Sequence, residues 1–177
     1  MGDKYRQFQA FDPDNARRLL SSAGYPGGRG FPATELWLKS QPPTSPEGVA
    51  AQAIQQMLKD NLNIDLGIRN MDRTTYEVQM KDWAIPLSTI MFTYDFPDPH
   101  NMLSLVWHSQ PKGYSRHDWK NERFDELVDR AVQELDQDKR LELYDEAERI
   151  LAKDAGGVFL WHVLDYQPTR LKLTEHQ

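Results

Sequence analysis

The segment 92–102, FTYDFPDPHNM, sets Asp95, Asp98 and His100 close together, and His108 follows a short stretch later. Carboxylates and imidazoles so arranged admit two kinds of chemistry. Convergence of His100 and His108 with Asp95 or Asp98 on a divalent metal would make a metal-assisted hydrolase. A lone carboxylate can instead accept a charge-assisted hydrogen bond from an ammonium, stronger than a neutral one. His100, His108, His117, His162 and His176 never fall in HxxxH or HExxH spacing, so no helical zinc pair is written in the sequence. No GxSxG elbow, GxGxxG turn or Walker loop occurs, and GYPGGRG (24–30) precedes a strand pattern rather than a helix. The chain has no cysteine, which excludes thiolate metal sites, thiol nucleophiles and disulfides. Acids elsewhere, such as Glu142 and Glu146, sit at i, i+4 spacing and read as solvated helix surface. Asp95 stands out because an apolar run leads straight into it; its local alternative is a loop acid that caps nearby amides.

The elements around Asp95 follow from the punctuation of the chain. Pro97 and Pro99 each remove a backbone donor and hold their predecessors extended, so regular structure must stop there. Upstream, PLSTIMFTY is rich in β-branched and aromatic residues and predicts a strand running directly into Asp95. Asp12 and Pro13 open a helix whose stripe is Ala16, Leu19, Leu20 and Ala23, with Gly24 as its stop. TELWLKS predicts a strand with Leu36 and Leu38 on one face and Trp37 on the other. Ser45 and Pro46 begin a second helix, after which the period switches to two at Ile64, Leu66 and Ile68. A strand–helix–strand succession of this kind is the right-handed unit of a parallel sheet. Asp72 caps a shorter helix, with Met71 and Tyr76 spaced as a hydrophobic staple.

Beyond the prolines the pattern turns helical. HNMLSLVWHS predicts a short helix and QPKGYSRHDWKN a polar loop. The segment 121–135 is amphipathic through Phe124, Leu127, Val128, Ala131 and Leu135, and a further helix carries Leu143, Ala147, Ile150 and Leu151 up to Gly156. GVFLWHVLDYQ, 157–167, predicts a closing strand. The sum is an α/β chain, a mainly parallel sheet with helices on its faces. It divides into a helix–sheet part at 12–95, a helical part at 99–155 and the closing strand.

Composition narrows the function classes. The 177 residues carry a net charge of −6, against the basic face that nucleic acid needs. No apolar run approaches the roughly 20 residues of a membrane span, and MGDKYRQFQAF fits neither a signal peptide nor the myristoylation pattern. Tryptophan (5) and tyrosine (7) are generous. Trp107, Tyr114 and Trp119 lie in or beside the loop after Asp95, where flat rings with polar tips suit a partly polar ligand, or else pack helices against the sheet.

Five segments, in order, carry a family resemblance. FDPDNARRLLSSAGYPGGRGFP, AQAIQQMLKDNLNIDLGIRNMDRTTYEVQM, YDFPDPHNML, GYSRHDWKNERFDELVDRA and LDQDKRLELYDEAERILAKDAGGVFLWH resemble the C-terminal lobe of the extracellular solute-binding proteins that serve oligopeptide, dipeptide and nickel ABC transporters. Two departures stand out: Gly156 and Gly157 replace the usual Ala-Pro, and Thr89 stands where some peptide binders carry an arginine. The resemblance implies a non-enzymatic binding protein without a cofactor. This chain would be the second lobe of a periplasmic-binding-protein-like clamshell whose N-terminal lobe is missing. Asp95 would pair with the α-amino group of a peptide, with Phe92, Thr93 and Tyr94 as neighbouring contacts and Trp107 and Tyr114 as walls. The implied partner is a membrane permease, the implied place is the periplasm or the outer face of the membrane, and a lobe by itself would self-associate. A ligand-sensing module of a regulator or receptor is the other reading of the same scaffold.

Overall fold

The computed structural model describes residues 3–113 and 117–162. Helix α1 (Pro13–Ser22) is followed by strand β1 (Thr34–Lys39), helix α2 (Pro46–Leu62), strand β2 (Leu66–Met71), helix α3 (Arg73–Lys81) and the two-residue strand β3 (Leu87–Ser88). Then come the single turn α4 (Pro99–Met102), a wider π-type turn over Leu103–Trp107, and helices α5 (Glu122–Gln133) and α6 (Gln137–Lys153). The helix starts were readable because each is fixed locally. The side chains of Asp12, Ser45, Asp72, Asn121 and Asp136 all accept hydrogen bonds from backbone N–H groups of the turns they open.

The sheet is parallel, with order β2-β1-β3. Its register runs from Thr34 opposite Leu66 to Lys39 opposite Met71, and Leu36 and Trp37 face Leu87 and Ser88. The alternation expected of β1 is realised. Leu36 and Leu38 pack with Ala51 and Leu66, backed by Ile54, Leu58 and Ile68, under α2. Trp37 turns to the other face and packs with Tyr76 and Met80, against Met71 and Ile85. The helical part has its own core of Leu103, Phe124, Leu127, Val128, Ala131, Tyr144, Ala147 and Leu151. Each large side chain fully buried there contributes about 1.5–3 kcal/mol relative to exposure.

The first segment closes this helical core from outside. Residues Asp3–Gln9 form a 3-10 turn whose buried Tyr5 donates its hydroxyl to the Asp145 carbonyl at 2.8 Å, while Lys4 pairs with the Asp145 carboxylate. Gln9 donates to the Gly157 carbonyl at 2.8 Å and accepts from the Phe159 N–H at 3.0 Å, so its amide acts as one rung of a strand ladder.

Several expectations change. The third strand does not reach Asp95: β3 ends at Ser88, and no strand is assigned over residues 89–95. In the parallel register β1 is used up at Lys39, which would face Ile90, so nothing remains to pair residues 91–95. Leu135 lies beyond the end of α5 and is 98% exposed. The α1 stripe is not buried either, and Leu19 stands in solvent. Residues 157–162 carry no strand, and the rest of the expected closing strand lies outside the described residues.

Candidate functional site

Asp95 sits on an irregular rim after β3, flanked by exposed Met91, Tyr94 and Phe96. Thr93 and Asp95 are also exposed, while Phe92 is half-buried. This segment is held by the short helix that follows it. Asp98 caps α4, accepting from the His100 N–H at 2.8 Å, and Pro99 takes the first helical position. Asn101 is then the third residue of that turn, the position from which a side chain reaches back to donors ahead of a helix. It does so here. Asn101 Oδ1 accepts from the Asp95 N–H at 3.3 Å, and Asn101 Nδ2 donates to Asp95 Oδ2 at 3.4 Å.

Asp98 and Asp95 are thereby given different surroundings. Arg140, on the first turn of α6, donates from Nη2 to Asp98 Oδ1 at 2.6 Å. That hydrogen bond, helped by the His100 amide, holds the Asp98 carboxyl below the usual carboxylate range, against the opposing effect of burial. The Arg140 guanidinium also lies over the Tyr144 ring, 4.9 Å from its centroid, and the Tyr144 hydroxyl is 3.3 Å from His100 Nδ1. Asp98, His100, Arg140 and Tyr144 thus tie α4 to α6. Asp95 takes no cationic partner among the described residues, and its Oδ1 has no donor there.

The aromatic residues divide differently. The Trp107 ring stacks on His117 (5.0 Å, 26°) and meets Trp119 and Phe159 at 6.3 and 5.8 Å. Trp119 in turn packs edge-on against Phe124 and donates Nε1–H to Asp154 Oδ2 at 2.9 Å. Trp107 and Trp119 therefore pack onto the helical core. The two departing glycines belong to the same cluster. A Cβ on Gly157 would lie 2.4 Å from the Trp107 ring, and one on Gly156 would lie 2.8 Å from Trp119 and Leu151, so the indoles fill the space where side chains would stand. Tyr114 lies outside the described residues.

Among the described residues the histidines do not gather with the acids into a metal centre. His100 engages Tyr144, whereas His108 faces Asp129 at 3.2 Å and Asp125 at 3.8 Å across on α5. Among the described residues no three histidine or carboxylate groups come within reach of one ion. Asn101 and Arg140 are the residues that sequence reasoning missed. Asn101 had a signal in its spacing three residues after a capping acid, while Arg140 had none, since its partner lies 42 positions away.

What this arrangement offers is an exposed, anchored carboxylate beside apolar and aromatic surface. Residues 2–114 match the model of the bacterial extracellular solute-binding proteins, family 5 Middle. The chain is 31% identical over 162 residues to the Di/tripeptide-binding protein 3 of Pseudomonas aeruginosa, covering 89% of this chain and 30% of that protein. Among solved structures, it superposes with a TM-score of 0.74 and 31% identity on a periplasmic oligopeptide-binding protein of Borrelia burgdorferi, covering 85% of this chain and 29% of that one. It also matches the periplasmic binding protein DppA of Helicobacter pylori in complex with the peptide STSA, with a TM-score of 0.69, 28% identity and coverage of 82% and 28%. The chain spans less than a third of the length of these relatives. Among the described residues no helix is long and apolar enough to cross a membrane. Matched along most of its length in sequence and in fold, the chain belongs to the bacterial extracellular solute-binding proteins, family 5.

Proposed function

We propose that this chain is one wall of a cleft that captures a small solute, a peptide, outside the cytoplasmic membrane for delivery to an ABC permease. The observation that carries this reading is the Asp95 rim: an exposed carboxylate with one oxygen unoccupied among the described residues, beside exposed Tyr94 and Phe96. An ammonium is the complement of such a group, and the peptide-binding relatives support an α-amino group as its source. Thr93 and Tyr94 contribute polar contacts along the same rim, with Phe92 behind them. Trp107 supports the wall from within the helical core. Capture of this kind makes and breaks no bond. It requires complementarity and closure of a second lobe.

The test uses a two-lobed chimera in which this chain replaces the matching region of the Pseudomonas relative. Calorimetric titration with a dipeptide should lose about thirty-fold or more in affinity on Asp95→Asn, as expected when one partner of a desolvated ion pair is removed. Asp98→Asn should change affinity by less than about threefold, because Arg140 and the His100 amide already occupy that carboxylate. An N-acetylated dipeptide should be indifferent to Asp95→Asn. Equal losses for free and blocked peptides would reduce Asp95 to a loop acid.

A further inference from the structure

Asn101 is buried, 3% exposed. A primary amide so placed has no water to turn to, and each unmet donor or acceptor would cost most of its desolvation. Both of its polar ends are directed to the same residue, Asp95: the carbonyl takes the backbone N–H and the amide N–H takes one carboxylate oxygen. The ring this closes constrains the Asp95 backbone and side chain together, leaving Oδ1 as the oxygen without a donor among the described residues. The base of Asn101 is fixed in turn. Its own N–H donates to the Asp98 carbonyl at 3.0 Å, and Asp98 is pinned by Arg140 of α6.

We infer that Asn101 is the positioning residue of this site: it selects one rotamer of Asp95 and presents Oδ1, not Oδ2, to the ammonium of the ligand. The inference rests on the reading of Asp95 as the ligand's anchor. It goes beyond that reading by assigning discrimination between charged and uncharged amines to a residue that never touches the ligand. An aspartate on an exposed loop samples its staggered side-chain rotamers freely. Without Asn101 the charge would remain and its aim would be lost.

The experiment uses the 177-residue chain, labelled for NMR. Three-bond couplings of Asp95 should report one dominant χ1 rotamer in the native chain and averaged couplings in Asn101→Leu. Asn101→Asp keeps the acceptor for the Asp95 N–H and, recorded at a pH where both carboxylates are ionised, replaces the donor to Oδ2 by a like charge, so it should drive the Asp95 side chain from its native rotamer while the Asp95 amide shift stays near native. Couplings of Asp98 serve as the control and should stay fixed in both variants. If Asn101→Leu disorders the whole segment, Asp98 included, Asn101→Asp decides. A native Asp95 that is already averaged, or one fixed in the same rotamer in the native chain and in Asn101→Asp, overturns the inference.

A second arm titrates alanylalanine and its N-acetyl form to tens of millimolar while following the Asp95 carboxyl carbon. The free amine should shift that carbon in the native chain, with apparent affinity about tenfold weaker in Asn101→Leu, the size expected for losing a hydrogen bond to a charged group. The acetylated form should shift it in neither. Equal weakening of both forms would mark Asn101 as merely structural and overturn the inference. If neither form perturbs Asp95 while the couplings behave as described, the reading of Asp95 as an anchor fails and the positioning by Asn101 stands.

Discussion

Asp95 and Asp98 differ by three positions and by almost everything that surrounds them. Asp98 is about one-third exposed, paired with a less exposed Arg140, and held below the usual carboxylate range by that pairing. A carboxylate with a depressed folded-state pKa adds stability that is present above its unfolded value, about 3.8, and is lost as pH falls through the folded value. The expected outcome is therefore acid-specific. Urea denaturation should find Asp98→Asn less stable than the native chain near neutrality by on the order of 1 kcal/mol, discounted for its partial exposure. The gap should narrow steadily below about pH 4; a constant gap across that range would mean that the ion pair adds nothing. The local capping by Asp98 could be read from sequence, since Pro97 and Pro99 confine it to a turn whose amides reach it. Arg140 could not be read, because nothing in DKRLELY says which of its faces meets a loop far upstream.

Helix starts were legible for a physical reason: a cap is an interaction between residues three apart, so Ser45 or Asp72 carries its own evidence. Strand length was not, because it depends on how far a neighbour extends. β3 reads as a nine-residue strand but pairs over only Leu87–Ser88; β1 stops at Lys39, opposite Ile90, and Ser40 turns away with φ of 51°, so residues 91–94 have no strand beside them. Connections between elements make a sharper prediction. Gly24 and Gly28 both have positive φ, 95° and 76°, but a Cβ at Gly24 would meet open space, whereas one at Gly28 would lie 2.5 Å from the Leu62 carbonyl at the end of α2. Gly24→Ala should cost about 1 kcal/mol from backbone conformation alone. Gly28→Ala adds a clash with backbone that cannot swing aside and should cost at least about twice as much. Denaturation midpoints of the two variants, followed by far-ultraviolet circular dichroism, check this directly. Equal costs would mean that the loop lifts off α2 freely.

At the scale of the whole molecule, apolar side chains face solvent in consecutive runs. Leu87, Ile90, Met91, Tyr94 and Phe96 follow one another along the rim, and Val158, Phe159, Leu160 and Trp161 form a second run after α6. Contiguous apolar surface above a few hundred Å² is uncommon on soluble monomers. Sedimentation velocity at tens of micromolar should accordingly show dimers or larger species, and Met91→Lys with Trp161→Lys should return the chain toward monomer. Native monomer throughout would mean that these side chains cover one another in solution. On the proposal that the chain is one wall of a cleft, dipeptides should bind the chain alone no tighter than about millimolar, a scale of roughly −4 kcal/mol; micromolar titration heats would show that one wall suffices. The Gln9 rung has a consequence in time rather than in energy. It joins residues 148 and 150 positions apart, so the chain must close nearly its full described length before that rung exists. Contacts of long sequence separation form late, because the entropy of closing the loop is spent before the contact returns anything. During refolding the Phe159 amide should gain protection from exchange after the α5–α6 core has formed, a clasp that fastens only once the garment is on.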